Sequence, residues 1–552
     1  MGLFCSALRK SRSVASLVAA GLLLANGPAW SAAGGTGNSS AEVRANPEVT
    51  PAVKHDHVIS LRGLIPQPDD LTRGKRIHPL GRIPAIDAPG FPEDAAVQGP
   101  TGSAVGTVPG LGFNGVGYGF TGPQGTFSVN SAPPDTVGAV GRTQYVQVVN
   151  TGFAVFDKAT GGAVYGPVPT NILWQGFGGP CEADNDGDGM VVYDKAANRW
   201  VISQFAVTTA PYYQCVAVSK SSDATGGYNR YAFSYGSIFP DYPKIGVWPD
   251  AYYITFNMFT NSFQGPKVCA YDRTSMLAGS PATQQCFQLS TSYASLLPAD
   301  LDGISPPPIG SPGFMVSRGS SNLNLWKFHV DFANSANTTL TGPTSIPVPS
   351  FTSACNGGAC IPQWGTNQLL DSLADRLMNR LAYRNFGSYQ SMVVTHSVTA
   401  GATKGKNRSS GYSGVRWYEI RNPGVAVVAL YQASTFAPDT TYRWMGSIAQ
   451  DKQGNMALGY SASSSTIHPA IRFTGRLVTD PLNTMQAETS IIEGTGSQIK
   501  DSYNLSRWGD YSAMTIDPVD DCTFWYTSEY LKTDGTFNWS TRVASFKFPG
   551  CS

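Results

Sequence analysis

Beyond about residue 110 the chain alternates two kinds of short apolar run. The first is made of small residues and the second of β-branched and aromatic ones, with a tight turn of Asp, Gly, Asn or Pro between them. Val137-Gly-Ala-Val140 turns into Tyr145-Val-Gln-Val-Val149, and Met190-Val-Val-Tyr193 into Trp200-Val-Ile-Ser-Gln-Phe205. Ile245-Gly-Val-Trp248 leads to Tyr252-Tyr-Ile-Thr-Phe256, Gly446-Ser-Ile-Ala449 to Met456-Ala-Leu-Gly-Tyr460, and Ser512-Ala-Met-Thr-Ile516 to Thr523-Phe-Trp-Tyr526. Such runs, bounded by turn residues, predict strands. Two looser copies pair Ile304 with Phe314-Met-Val-Ser317, and Leu381-Ala-Tyr383 with Met392-Val-Val-Thr395.

Units starting at Asp135, Asp188, Lys244, Asp302, Arg380, Arg443 and Arg507 are 53, 56, 58, 78, 63 and 64 residues apart. Repetition at this period predicts a radial array of sheets: an all-β, seven-bladed β-propeller, with six blades as the alternative. The order of the runs agrees. Inner strands crowd a narrow axis and call for Gly, Ala and Ser, whereas outer strands have room for Trp, Tyr and Phe.

Composition narrows the function. The 552 residues include 60 Gly and only 14% charged residues, and 38 Lys+Arg against 37 Asp+Glu leave a net charge of +1. No bulk positive field is present to bind nucleic acid. Arg9, Lys10 and Arg12 precede an apolar run at 14–25 and small residues at Ala29, Ser31 and Ala33, the pattern of a signal peptide over residues 1–33. The run is too short to span a membrane. Residues 34–108 read as a Pro/Gly-rich leader or linker, partly disordered, in which Pro66, Pro68, Pro79, Pro84, Pro89 and Pro92 break any strand or helix. Residues 109–552 are then the propeller of a secreted (extracellular or periplasmic) monomer. Apart from Cys5, eight cysteines remain: Cys181, Cys215, Cys269, Cys286, Cys355, Cys360, Cys522 and Cys551. An even set in an exported chain predicts disulfides, and pairing in chain order keeps each bond within one local unit.

Pro133-Pro-Asp-Thr-Val-Gly-Ala-Val140, Asp241-Tyr-Pro-Lys-Ile-Gly-Val-Trp248, Arg443-Trp-Met-Gly446 and Arg507-Trp-Gly-Asp-Tyr511 resemble stretches of a group of exported bacterial proteins likened to sialidase-type or BNR-type propellers. The resemblance covers roughly residues 125–551 and implies the fold and export. Ser222-Asp-Ala-Thr-Gly-Gly-Tyr228 and Thr533-Asp-Gly-Thr-Phe-Asn-Trp539 are distorted echoes of the sialidase Ser-x-Asp-x-Gly-x-x-Trp box.

Charged residues at the unit starts would converge at one mouth of such a ring. Lys244, Arg380, Arg443 and Arg507 there suit an acidic glycan, because a guanidinium fork binds a carboxylate through two hydrogen bonds. Asp135 and Asp510 are then candidate acid/base groups and Tyr511 a candidate nucleophile, as in a glycoside hydrolase or polysaccharide lyase. The competing reading has these Arg and Asp residues pairing with one another to close the ring. A lectin, adhesin or surface-interaction propeller would use the same scaffold without chemistry. Asp184-Asn-Asp-Gly-Asp-Gly189 places Asp184, Asp186 and Asp188 on one tight turn, a pattern that opens calcium loops. The twelfth position is Lys195 rather than Glu, so an EF-hand is excluded. Calcium is the one cofactor expected; no organic cofactor has a motif. Glu419 and Glu529 lie in strand-like runs, paired with Arg or functional.

Overall fold

The computed structural model describes residues 42–65, 75–78, 81–84, 94–99, 102–104, 106–401 and 411–552. The signal-peptide expectation, Cys5, and Pro66, Pro68, Pro79, Pro89 and Pro92 fall outside the described residues.

Among the described residues the strands form seven four-stranded antiparallel units, beside three two-stranded pairs. In chain order their first strands are Val137–Val140, Met190–Asp194, Phe239–Val247, Leu297–Asp302, Met378–Asn385, Tyr442–Gln450 and Ala513–Ile516, and the sheets are numbered 1 to 7 accordingly. Each first strand lies against the first strand of the next sheet, and that of sheet 7 against that of sheet 1. The cycle is therefore closed. Between sheets 4 and 5 the contact becomes a parallel pairing of Leu297–Asp302 with Met378–Asn385. Sheet 7 takes its fourth strand, Val108–Asn114, from the start of the repeat region, which fastens the two ends of the ring.

Packing explains the small-then-bulky order. A Cβ on Gly246 in the first strand of sheet 3 would lie 2.3 Å from the Ala299 carbonyl oxygen of sheet 4, so only glycine permits that approach. Second strands carry the rings that fill the space between sheets. Tyr145 of sheet 1 stacks on Trp525 of sheet 7 at 5.3 Å, and Tyr253 of sheet 3 meets Phe328 of sheet 4 at 5.3 Å. The buried core is this set of inter-sheet layers.

Buried ion pairs at the ends of the first strands stitch sheet to sheet. Lys195 of sheet 2 reaches Asp302 of sheet 4 at 2.5 Å, and Arg273 reaches Asp194 at 2.7 Å. Arg384 of sheet 5 pairs with Asp521 at 2.7 Å, and Lys158 with Asp517 at 2.9 Å.

Two expectations change. Asp302 ends the first strand of sheet 4 rather than opening it, and Ile304, expected in a strand, is 84% exposed in the following loop. The described parts of residues 34–108 are built onto the ring. Val43–Ala45, Glu48–Pro51 and Lys54–Val58 add fifth strands to sheets 4, 3 and 2, and Asp94 is buried against Arg416 and Thr435 of sheet 5. An outermost strand pairs on one side only, which is why Pro51 is tolerated at a strand end.

Disulfides join Cys181 to Cys215, Cys269 to Cys286, Cys355 to Cys360 and Cys522 to Cys551, consecutive pairs along the chain. Cys269 and Cys286 face each other directly across neighbouring strands. Four disulfides point to an oxidising compartment. Among the described residues no helix is long and apolar enough to cross a membrane.

Candidate functional site

Non-glycine residues in the left-handed region stand where the first three sheets begin: Asp135 (φ 46°) and Asp188 (φ 45°) in the turns ahead of sheets 1 and 2, and Tyr242 (φ 58°) at the bulge within the first strand of sheet 3. Such backbone costs on the order of 1–3 kcal/mol per residue and persists where the surroundings enforce it. Here it turns acidic side chains toward a cleft of about 310 Å³ at one mouth of the ring.

Asn150 organises the floor. Its amide donates to Asp135 Oδ2 at 2.6 Å while its own oxygen accepts the Asp188 backbone N–H at 2.9 Å. The other oxygen of Asp135 accepts the backbone N–H of Asp510 at 2.7 Å. Burial, reinforced by Asp510 and Asp188, pushes the Asp135 carboxyl well above the usual carboxylate range. Asp188 accepts the Tyr242 backbone N–H at 3.2 Å and is also raised, chiefly by burial. Asp186 is held by the Val207 N–H at 2.7 Å and the Thr208 hydroxyl at 2.9 Å. Asp241 lines the same cleft, and burial followed by repulsion from Asp188 raises it to about 7. Asp510 pairs with Arg507, which also donates to the His78 carbonyl at 2.6 Å. Phe205 and Phe239, ring centres 5.8 Å apart, give the cleft an apolar wall.

The loop bearing Arg507 and Asp510 rests on Glu529, whose carboxylate accepts the Gly509 N–H at 2.9 Å. Burial raises Glu529 to about 8. A proton held more tightly in the folded state stabilises it fully below the unfolded pKa near 4.5, and that stabilisation is lost as pH rises through 8. Glu529→Gln keeps the acceptor and removes the ionisation. Its melting temperature should match the parent at pH 4.5 and exceed it at pH 9 in a calorimetric pH series.

Of the expected residues, Asp135, Asp186, Asp188, Arg507 and Asp510 come together in the cleft. The others do not. Tyr511 is 1% exposed, its hydroxyl directed at the Gly189 carbonyl at 3.5 Å, and it does not line the cleft. Lys244 lies beneath, its ammonium 3.5 Å from the Tyr242 ring centre and 4.0 Å from that of Tyr511, and burial lowers it to about 8. Arg380 is buried against Asp300 (3.1 Å) and Asp302 and donates to the Met514 carbonyl, a tie among sheets 4, 5 and 7. Arg443 is saturated by Glu488 at 2.8 Å and Asp439 at 2.9 Å. Arg380 joins neighbouring sheets, Arg443 braces its own sheet 6, and neither lines the cleft. Nor does the acidic turn act as one set: Asp186 and Asp188 line the cleft and Asp184 does not. The Asp184 carbonyl accepts from Gln204 at 2.9 Å. Among the described residues no group of three or more His, Cys, Asp or Glu side chains is placed to hold a metal ion.

Arg76 and His78 escape a reading of the sequence because they sit in the proline-rich segment. Arg76 and Ile77 pair in parallel with Ser131 and Ala132, and the His78 N–H donates to the Ala132 carbonyl at 2.8 Å. This brings the Arg76 guanidinium to 3.5 Å from Asp186. Burial, then Arg76 and Arg507, lowers the His78 imidazole to about 4. The basic and histidine residues of Arg76-Ile-His78 amid apolar and proline residues are the one local sign of this role.

No family model and no curated protein matches the chain. Solved structures similar to it include a GH43 endo-arabinanase from Bacillus licheniformis (9% identity, 62% of this chain and 93% of that one, TM-score 0.28). A PL25 ulvan lyase is similar at 13% identity over 77% of this chain and 81% of that one, TM-score 0.27. The WD40 domain of SCAP from fission yeast is similar at 10% identity over 74% and 82%, TM-score 0.30. Similarity at this level assigns no chemistry, so function is argued from the cleft.

Proposed function

We propose that the chain is a secreted, seven-bladed β-propeller that hydrolyses a glycan held across the cleft at its mouth. One observation carries this reading: an apolar wall of two phenylalanines faces a set of carboxylates in one cleft of about 310 Å³. A sugar ring offers an apolar face and a polar edge, and a cleft of this size and mixed lining suits it.

Asp135 and Asp510 are the pair for the chemistry. Burial holds the Asp135 carboxyl well above the usual carboxylate range, which suits it to donate a proton to the glycosidic oxygen as the C–O bond breaks. Asp510, paired with Arg507, takes a proton from the attacking water. An acidic glycan loses the support expected for it, since Lys244, Arg380 and Arg443 are engaged elsewhere and both cleft arginines already meet carboxylates. For the same reason hydrolysis is favoured over β-elimination, which needs a cation on the uronate carboxylate.

Purified protein screened against a panel of neutral, amino-sugar and uronate polysaccharides should release reducing ends without 4,5-unsaturated products. Unsaturated uronates would replace hydrolase with lyase. Binding on a glycan array with no release from any polymer would make the protein a lectin.

A further inference from the structure

The sign of charge in the cleft is opposite to the one the unit-start arginines suggest. Five aspartates line it, Asp135, Asp186, Asp188, Asp241 and Asp510, against the guanidinium groups of Arg76 and Arg507. Three of the five are committed: Asp135 to Asn150 and the Asp510 backbone, Asp186 to Thr208 and Val207, and Asp510 to Arg507. Asp241 differs. It is only 8% exposed, it lines the cleft, and no described residue donates a hydrogen bond to it. A desolvated carboxylate without a donor is costly to keep, by more than a neutral polar group would be. That cost shows in the rise of Asp241 to about 7, at a point open to a ligand. Beside it Asp188 spends one oxygen on the backbone of Tyr242, the residue next to Asp241.

Two further features fit a cationic ligand. Arg76 enters from outside the ring and sets its guanidinium against Asp186, so the cleft already accepts one cation supplied by the chain itself. Phe205 and Phe239, from sheets 2 and 3, line the cleft together with Asp188 and Asp241. Aromatic faces beside carboxylates favour a group that is apolar on one side and positive on the other.

We propose that the cleft takes a sugar bearing a free amine, its ammonium seated by Asp241 and Asp188 and its apolar face laid on Phe205 and Phe239. This rests on the reading of the cleft as a sugar site and names the class of sugar. An N-acetylated sugar presents an amide there, which leaves the carboxylate uncompensated. A uronate adds a like charge to the cluster and is rejected.

The test is titration calorimetry at pH 7.0, where Asp241, raised to about 7, is about half ionised, with glucosamine, galactosamine and their short oligomers, each against its N-acetylated counterpart and against glucose. The free amines should bind roughly ten-fold or more tightly than their N-acetylated forms, the range expected of a charge-assisted hydrogen bond. That preference should weaken with added salt. In Asp241→Asn, which is nearly isosteric and breaks no described hydrogen bond, it should fall to about two-fold. Asp188→Asn should reduce it as well. Equal or weaker binding of the amines, or a preference untouched by Asp241→Asn, overturns the proposal. The hydrolase reading fails separately. Preferential amine binding with no glycan cleaved leaves the amine site standing without the chemistry. Cleavage of neutral glycans with no amine preference leaves the chemistry standing without the amine site.

Discussion

Arg380→Met should destabilise the protein by about 3–5 kcal/mol, the usual cost of removing one partner from a buried ion pair. The guanidinium ties Asp300 and Asp302 of sheet 4 to the Met514 carbonyl of sheet 7. Without it Asp302, 2% exposed, keeps Lys195 in direct contact and Arg384 nearby as its remaining counter-ions, and the Met514 carbonyl loses a donor. The loss should also show in acid. Burial would raise the Asp302 carboxyl, but Arg380 and then Lys195 hold it at about 2. A depressed folded-state pKa contributes stability that is present above the unfolded value and is lost as pH falls toward 2. The variant should therefore unfold at a higher pH than the parent when titrated downward. Glycan release per folded molecule should be unchanged, since Arg380 is not part of the cleft wall. A variant that kept its stability and lost activity would instead put Arg380 in a ligand site.

How far the sequence could be read follows from how local each feature is. The strand runs were visible because small residues, a turn and bulky residues succeed one another within about fifteen positions. Disulfide pairing was visible for the same reason: each bond spans one unit. Sheet 4 was misplaced by the length of one strand. Its first strand, Leu297–Asp302, contains Pro298 and two aspartates and does not look like an inner strand until its partners, Lys195 and Arg380, are known.

The site residues divide by a rule that spacing alone does not reveal. Asp135, Asp188 and Arg507 lie in the turns ahead of Val137–Val140, Met190–Asp194 and Ala513–Ile516, and they reach the cleft. Arg380 and Arg443 lie within Met378–Asn385 and Tyr442–Gln450, where a side chain points into the space between sheets. A shift of a few residues relative to the strand start changes a ligand-facing group into a packing one. Asp241 reaches the cleft from within Phe239–Val247 because the register breaks between it and Lys244, a bulge that re-aims the side chain. Arg76 and His78 were hidden for a different reason. Their place depends on backbone pairing with Ser131 and Ala132, more than fifty residues along the chain, and no local periodicity encodes it.

The reading of the cleft as a hydrolytic site is exposed most directly at Asp510. Asparagine there keeps an oxygen for Arg507 and leaves the backbone N–H to Asp135 in place, so the loop should hold its position and the melting temperature should move little. Loss of the base should lower turnover of the cleaved glycan by about 10²–10⁴-fold, the range for one general acid–base group, with little change in substrate binding. Reducing-end release by Asp510→Asn at the parent's rate, with the same melting curve, would contradict the assignment of chemistry to this cleft.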